Sequence, residues 1–327
     1  MIERTATSRG SVQRVPARLA KWALTMSPLE ATVARRGFAV RRPEVRARVE
    51  AIGQSFLYGY NSALDEQAPL ALARRLDRLD SERRGFAYEG AAMGLGLLER
   101  VMPWRRGLVA TFLAGPGGPH LYMMFVGLGW ALAVMPFRLD AALARLDPLL
   151  RGLVMDGYGF YHGYFHWPTS IRRRRTPRTL RGYARRGFDQ GLGRSLWFVE
   201  GAEVAEIART IQTFPDVRRA DLWSGVGLAC AYAGGVRREE VRALAAAAGP
   251  YYAHLAQGVC FAAKARERAG NPAPHTDAVC DVICGMTSTA AGAIADRALG
   301  DVPLQDPDHA YEAWRAGVRR QFLAGRA

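Results

Sequence analysis

Lysine is almost missing from this chain: of 45 basic residues only Lys21 and Lys264 are lysine, and the rest are arginine. A net charge of +15 ordinarily points to nucleic acid. Here the arginines are spread along the chain with no nucleic-acid-binding motif, so the bias reads as GC-rich coding and nucleic acid is not expected as a partner. Cysteine is scarce as well. Cys230, Cys260, Cys280 and Cys284 all fall in the last third, too few for a disulfide scaffold and in keeping with a reducing compartment. Strand signals are nearly absent. The uncharged stretch 122–137 is shorter than the roughly 20 residues of a membrane span and is bounded by Pro119 and Pro136, so no membrane is expected. Residues 22–26 are too short for a signal-peptide core, which leaves a cytoplasmic protein as the expectation. No glycine-rich phosphate loop follows a strand and no nucleophile elbow is present, so no cofactor is expected.

Glycine, by contrast, is abundant, with 35 residues, and it falls inside helical patterns. From Pro43 the apolar positions Val45, Val49, Ile52, Phe56 and Tyr60 recur at helical spacing and predict one helix through Leu64. An interior glycine costs a helix about 1 kcal/mol relative to alanine, so repeated ones signal close helix packing or contact with a ligand. Further helices are expected over 70–79, 86–101, 120–137, 222–233 and 311–323, with another capped by Thr276 or Asp277 and running to Arg297. Residues 1–34 read as a loosely ordered arm.

The glycine-rich stretch 155–167 has echoes. Gly53, Phe56, Gly59 and Tyr60 match Gly157, Phe160, Gly163 and Tyr164. Gln257, Gly258 and Phe261 match Asp156, Gly157 and Phe160, and Gly127 with Gly129 matches Gly225 with Gly227, all at offsets of roughly 100 residues. The tetrapeptide Arg-Arg-Gly-Phe stands at 35–38, 83–86 and 185–188. The expected fold is all-α: tandem helical repeats of roughly 100 residues, near 44–145 and 146–243 with a truncated 244–327, packed around a shared core in one domain, 35–327. The arginine-rich segment 172–186 joins the units as an exposed loop, open to an anionic partner.

Two acids fall inside apolar helices. Glu89, Ala92 and Gly96 repeat the acid-small-small spacing of Asp156, Gly159 and Gly163 on one helical face, and at matching positions Gln190 and Gln257 carry an amide instead. One reading makes Glu89 and Asp156 catalytic acid/base candidates on a groove left open by Gly159 and Gly163, with Phe160, Tyr164, His166, Gln190 and Gln257 as its substrate-binding residues. The other pairs both acids with arginines and lets the small residues serve helix packing alone. Tyr158, Phe160, Tyr161, Tyr164, Phe165 and Trp167 either line a channel for a flat conjugated chain or fill a core. His162 and His166 lack a third ligand, and His275, Cys280 and Cys284 lack zinc spacing, so no metal is expected.

Five strings then carry a resemblance: Arg83-Arg-Gly-Phe-Ala-Tyr-Glu-Gly-Ala-Ala-Met-Gly94, Asp156-Gly-Tyr-Gly-Phe160, Phe188-Asp-Gln-Gly-Leu-Gly-Arg-Ser-Leu-Trp-Phe198, Ala220-Asp-Leu-Trp-Ser-Gly-Val-Gly-Leu228 and His275-Thr276. Over roughly residues 35–322 the chain resembles the UnbL-like family encoded in enediyne polyketide biosynthetic gene clusters. The resemblance implies an accessory role in assembling the enediyne core, acting on or binding a linear polyene intermediate. Its alternative is a non-catalytic scaffold or partner of the polyketide synthase and other pathway proteins. It assigns no reaction and no catalytic residue.

Overall fold

The helix expected from Pro43 is α1, Pro43–Asp65, in a computed structural model that describes residues 21–302 and 309–323. Proline at its first position has no N–H to forfeit, and Val45, Val49, Ile52 and Phe56 turn one face inward. Seven more long helices follow: α2 Ser81–Val101, α3 Leu121–Val134, α4 Arg151–Phe165, α5 Tyr183–Val199, α6 Asp216–Ala233, α7 Tyr252–Ala269 and α8 Ser288–Gly300. A last helix, α9, covers Ala310–Leu323. The described residues are all-α and contain no strand.

Consecutive long helices run parallel. Along α1 and α2, Gly90 meets Phe56 while Gly94 meets Tyr60 and Ala63; along α4 and α5, Gly187 meets Gly152 and Gly163 meets Ser195. A parallel neighbour requires the chain to travel back, and most linkers spend that distance on a short helix. These are Pro69–Leu76, Leu108–Leu113, Leu139–Leu143, Val204–Gln212, Arg238–Ala248 and Pro274–Val279. The array curls until its late helices reach its early ones. Phe86 of α2 packs edge-on against Tyr232 of α6 at 5.1 Å, and Arg266 of α7 donates to the carbonyl of Glu82 at 3.3 Å. Helix α9 closes one end, placing Trp314 against Tyr122 of α3 and Phe261 of α7, and Tyr311 against Gly152 of α4.

The glycines explain the spacing of the array. A Cβ built on Gly159 would overlap the Phe188 carbonyl, and one on Gly191 the Asp156 carbonyl, so α4 and α5 touch backbone to backbone. The same exchange joins Gly129 with Gly157, Gly193 with Gly225, and Gly227 with Gly258. In α3, α4, α5 and α6 one glycine, Gly127, Gly157, Gly191 or Gly225, meets the preceding helix and the glycine two residues on meets the following one. The first contact falls at Gly90, Gly127, Gly157, Gly191, Gly225 and Gly258, roughly every 34 residues.

The structure therefore places the repeat at one long helix with its return, and offsets near 100 residues are three such steps. Gly127 with Gly225, and Gly157 with Gly258, are in register by this measure. The match of Phe56 with Phe160 is one helical turn out, because Gly59 makes the forward contact that Gly159 makes. The three Arg-Arg-Gly-Phe copies are not equivalent either. Gly37 caps a short helix, Val33–Arg36, in the left-handed region, whereas Gly85 and Gly187 lie inside α2 and α5.

Other expectations shift in detail. Of the arm at 1–34, residues 1–20 lie outside the described residues, while Ala31 and Val33 are buried in the core. The helix expected from Thr276 to Arg297 is broken. Its first part widens into a π-helical turn over Cys280–Cys284 and ends at a left-handed Gly285, and Thr287 caps α8 afresh through the Ala290 N–H, while Thr276 donates instead to the Ala231 carbonyl. Arg172, Arg173, Arg174 and Arg175 are exposed, as expected, but Arg186 sits in α5 and pairs with Asp221 and Glu312. Among the described residues no single helix is long and apolar enough to cross a membrane, and α3 has 14 residues.

Candidate functional site

Because α2 to α7 cross their neighbours at the same height, the residue just before the glycine that meets the preceding helix recurs at one level of the interior. That position holds Glu89, Val126, Asp156, Gln190, Ser224 and Gln257 in turn. Glu89, Asp156, Gln190, Ser224 and Gln257 are all buried, and they join in one polar ladder. Gln190 Nε2 donates to Asp156 Oδ2 at 2.7 Å and to the Tyr311 hydroxyl at 2.8 Å. Ser224 Oγ lies 2.8 Å from Gln257 Oε1 and 3.2 Å from Gln190 Oε1, so its one proton serves the nearer. Arg315 of α9 donates to Gln257 and to Asp221, and Arg186 adds a second cation on Asp221. Burial alone would raise the Asp221 carboxyl, but Arg315 and Arg186 outweigh it and hold it below its usual range. This half of the ladder, where arginines outnumber acids, is a bolt fastening α9 to the array.

The other half is short of positive charge. Arg194 stands one turn beyond the ladder, at the level where its neighbours carry Met93, Trp130, Phe160, Leu228 and Phe261. Its Nη1 donates to Asp156 Oδ1 at 2.5 Å, its Nη2 is 3.9 Å from Glu89 Oε2, and its guanidinium lies 4.6 Å from the centre of the Phe160 ring. All three charged groups are at most 3 % exposed. With both acids ionised the cluster carries a buried net charge of −1, and a proton on one acid removes it. Glu89 takes that proton. Burial raises its pKa to about 7 against the attraction of Arg194, the charge of Asp156 adds to the rise, and a 2.9 Å bond from Trp130 Nε1 to Oε1 opposes it. Glu89 Oε2 has no hydrogen bond among the described residues.

Glu89 also borders a cavity of about 30 Å³ walled by Phe56, Trp130, Phe160, Tyr164 and Phe198, room for a water molecule or two. The segment ahead of α1 lies across this recess as a strap. Glu30 and Ala31 form its wall, Asn61 brackets the Met26 backbone at 3.1 and 2.9 Å, and Tyr60 donates to the Leu24 carbonyl at 2.7 Å.

The structure divides the site residues expected from sequence. Glu89, Phe160 and Tyr164 share the aromatic recess. Asp156, Gln190 and Gln257 belong to the ladder and do not border it. Gly159 and Gly163 leave no groove: a Cβ on the first would overlap the Phe188 carbonyl, and on the second the Ser195 hydroxyl, so both are contact points between α4 and α5. His166 is exposed and lies outside the recess, with its ring 5.7 Å from that of His162. His275 turns away from the cysteines toward the Tyr232 carbonyl at 3.1 Å, while Cys260 and Cys284 meet at 4.0 Å. Among the described residues no group of three or more His, Cys, Asp or Glu side chains is arranged to hold a metal ion. Sequence reading missed Arg194, Trp130 and Ser224. The signal for them was the single-helix register, in which Arg194 is the one charged residue at an otherwise apolar level.

A raised carboxyl has a consequence for stability. Over about pH 4.5 to 7 the folded state holds a proton on Glu89 that the unfolded chain has begun to release, so stability falls as pH rises through that window. Above pH 7 the full penalty applies, on the order of 3 kcal/mol from a displacement of this size. Glu89→Gln keeps an acceptor for Trp130 and removes the charge. The variant is expected to be more stable than the wild type at pH 8 and nearly equal to it at pH 4.5, as measured by urea unfolding. Equal unfolding midpoints at pH 8 would show that Glu89 titrates normally.

No curated protein and no solved structure matches the chain. A family model matches it over residues 16–322, nearly its whole length, and by that match the chain belongs to the family described as "Protein of unknown function (DUF1702)".

Proposed function

We propose that this chain is an accessory protein of enediyne polyketide assembly, which takes a linear conjugated intermediate into the aromatic recess and exchanges protons with it through Glu89. The observation that carries the reading is Glu89 itself. It is an acid on an aromatic wall, with proton affinity near neutrality and one carboxylate oxygen left without a hydrogen bond. A carboxyl so poised can take a proton from one carbon of a conjugated chain and return it to another, which moves double bonds without an oxidant. Trp130 and Arg194 steady whichever charge state results. A chain cannot enter 30 Å³, so admission requires the strap at Glu30 and Ala31 to lift.

The tight closed volume favours a second reading, in which the protein is a rigid scaffold or partner of the synthase and performs no chemistry. Incubation of the purified protein with the synthase's polyene product separates the two. The enzyme reading expects a shifted absorption spectrum with the wild type, and binding without the shift for Glu89→Gln. An identical spectral change with the Gln variant would remove Glu89 from the chemistry, and no saturable binding by either protein would remove the recess from the function.

A further inference from the structure

Outside the recess, between α1 and the Pro69–Leu76 helix, lies a surface groove of about 750 Å³. Groove and recess share a wall. Leu57 borders both, and the one-turn helix Pro28–Ala31 closes both, with Pro28 on the groove side and Ala31 on the recess side. Displacing that turn and the Leu57 side chain would join the two spaces. Their chemistries are opposite. The recess is apolar apart from its glutamates, whereas the groove is bordered by Arg75, Arg78 and Arg83 against the single acid Asp65. Arg75 faces Asp65 at 3.7 Å and Arg83 is taken up by Asp80, but Arg78 is exposed and has no acid partner among the described residues. Tyr58 and Gln54 border the same groove.

We infer that this groove is the mouth of the recess and holds the anionic end of the ligand, so that the molecule admitted is an amphiphile: a linear apolar chain ending in a carboxylate or a phosphate. A fully apolar chain gains nothing from three arginines, and a ligand charged along its length has no counterion in the recess. Only a molecule with its charge at one end satisfies both compartments. This rests on the reading of the recess as a ligand site, and adds to it which end enters last and what holds it.

The test uses cis-parinaric acid, a linear conjugated tetraene carboxylate whose fluorescence rises in an apolar site, alongside its uncharged methyl ester. Dodecyl phosphate serves as competitor. The proteins are the wild type and the double variant Arg75→Gln, Arg78→Gln, which changes surface side chains only and is checked by circular dichroism. The wild type is expected to bind the acid at least tenfold more tightly than the ester. The double variant is expected to lose that preference while its affinity for the ester stays within twofold. Displacement by dodecyl phosphate that weakens tenfold in the variant assigns the groove to phosphates as well, and displacement unchanged by the variant restricts it to carboxylates. Equal affinity for acid and ester in the wild type, or a preference that survives the double substitution, overturns the groove while leaving the recess standing. If neither acid nor ester binds the wild type, the recess reading fails and the groove assignment falls with it.

Discussion

Gly191→Ala is expected to abolish the folded state, giving a protein recovered insoluble or without a cooperative melting transition. The added methyl would overlap the Asp156 carbonyl oxygen and lie 2.6 Å from the Phe160 nitrogen. Both obstacles are backbone atoms inside α4, so neither can rotate away. Overpacking a core against side chains typically costs about 1–3 kcal/mol, because side chains find other rotamers. Two helical backbones can only separate, and separation here also stretches the Asp156–Gln190 bond and the Arg194 pairing. A cost above about 5 kcal/mol is therefore expected, which is most of the stability of an ordinary domain. Gly300→Ala is the control. It too is a helical glycine, but no atom lies within 4 Å of its absent Cβ, and the gain in helix propensity should leave the melting temperature unchanged or slightly higher. If Gly191→Ala melts within a few degrees of the wild type, α4 and α5 do not touch as closely as described.

The same glycines show how far sequence reasoning reached. Several of the long helices were readable because their caps and apolar periods are local, as with Pro43 at the start of α1, but the helix expected to run to 137 stops at Val134, ahead of Pro136. That an interior glycine marks close packing or a ligand was also readable, but which of the two applies depends on what stands opposite, and that is not local. At Gly159 and Gly163 it is another helix, so the expected groove is filled. The period was mistaken for the same reason. String similarity is carried by side chains, and the strings recur best after three helices, whereas the contact that repeats with every helix belongs to backbone atoms and leaves only a glycine as its trace. Once that register is used, Glu89, Asp156, Gln190, Ser224 and Gln257 fall at one level and Arg194 stands out. The recess was half readable: Phe160 and Tyr164 were expected around Glu89, but Phe56, Trp130 and Phe198 come from helices distant in sequence.

Arg194→Met is expected to cost about 3–5 kcal/mol at pH 8, the range for removing one partner of a buried ion pair. Methionine fills much of the same volume against Phe160, so the loss is of charge more than of packing. Without the guanidinium, Asp156 keeps the Gln190 amide and Glu89 keeps Trp130, but two carboxylates face each other with no counterion. With the attraction of Arg194 gone, the Glu89 carboxyl is pushed further above its unfolded value. A raised acid favours the folded state at low pH and penalises it as pH rises, so the deficit should shrink toward pH 5 and be complete by pH 8. Adding Asp156→Asn should recover at least half of the lost stability at pH 8, because one ionisable acid then remains and it is the one already inclined to stay protonated. Denaturant unfolding of the two single variants and the double variant at pH 5 and pH 8 measures the coupling directly. A coupling below about 0.5 kcal/mol at pH 8 would mean that Arg194 stabilises by packing alone, and the account of Glu89 as the acid holding the spare proton would have to be abandoned.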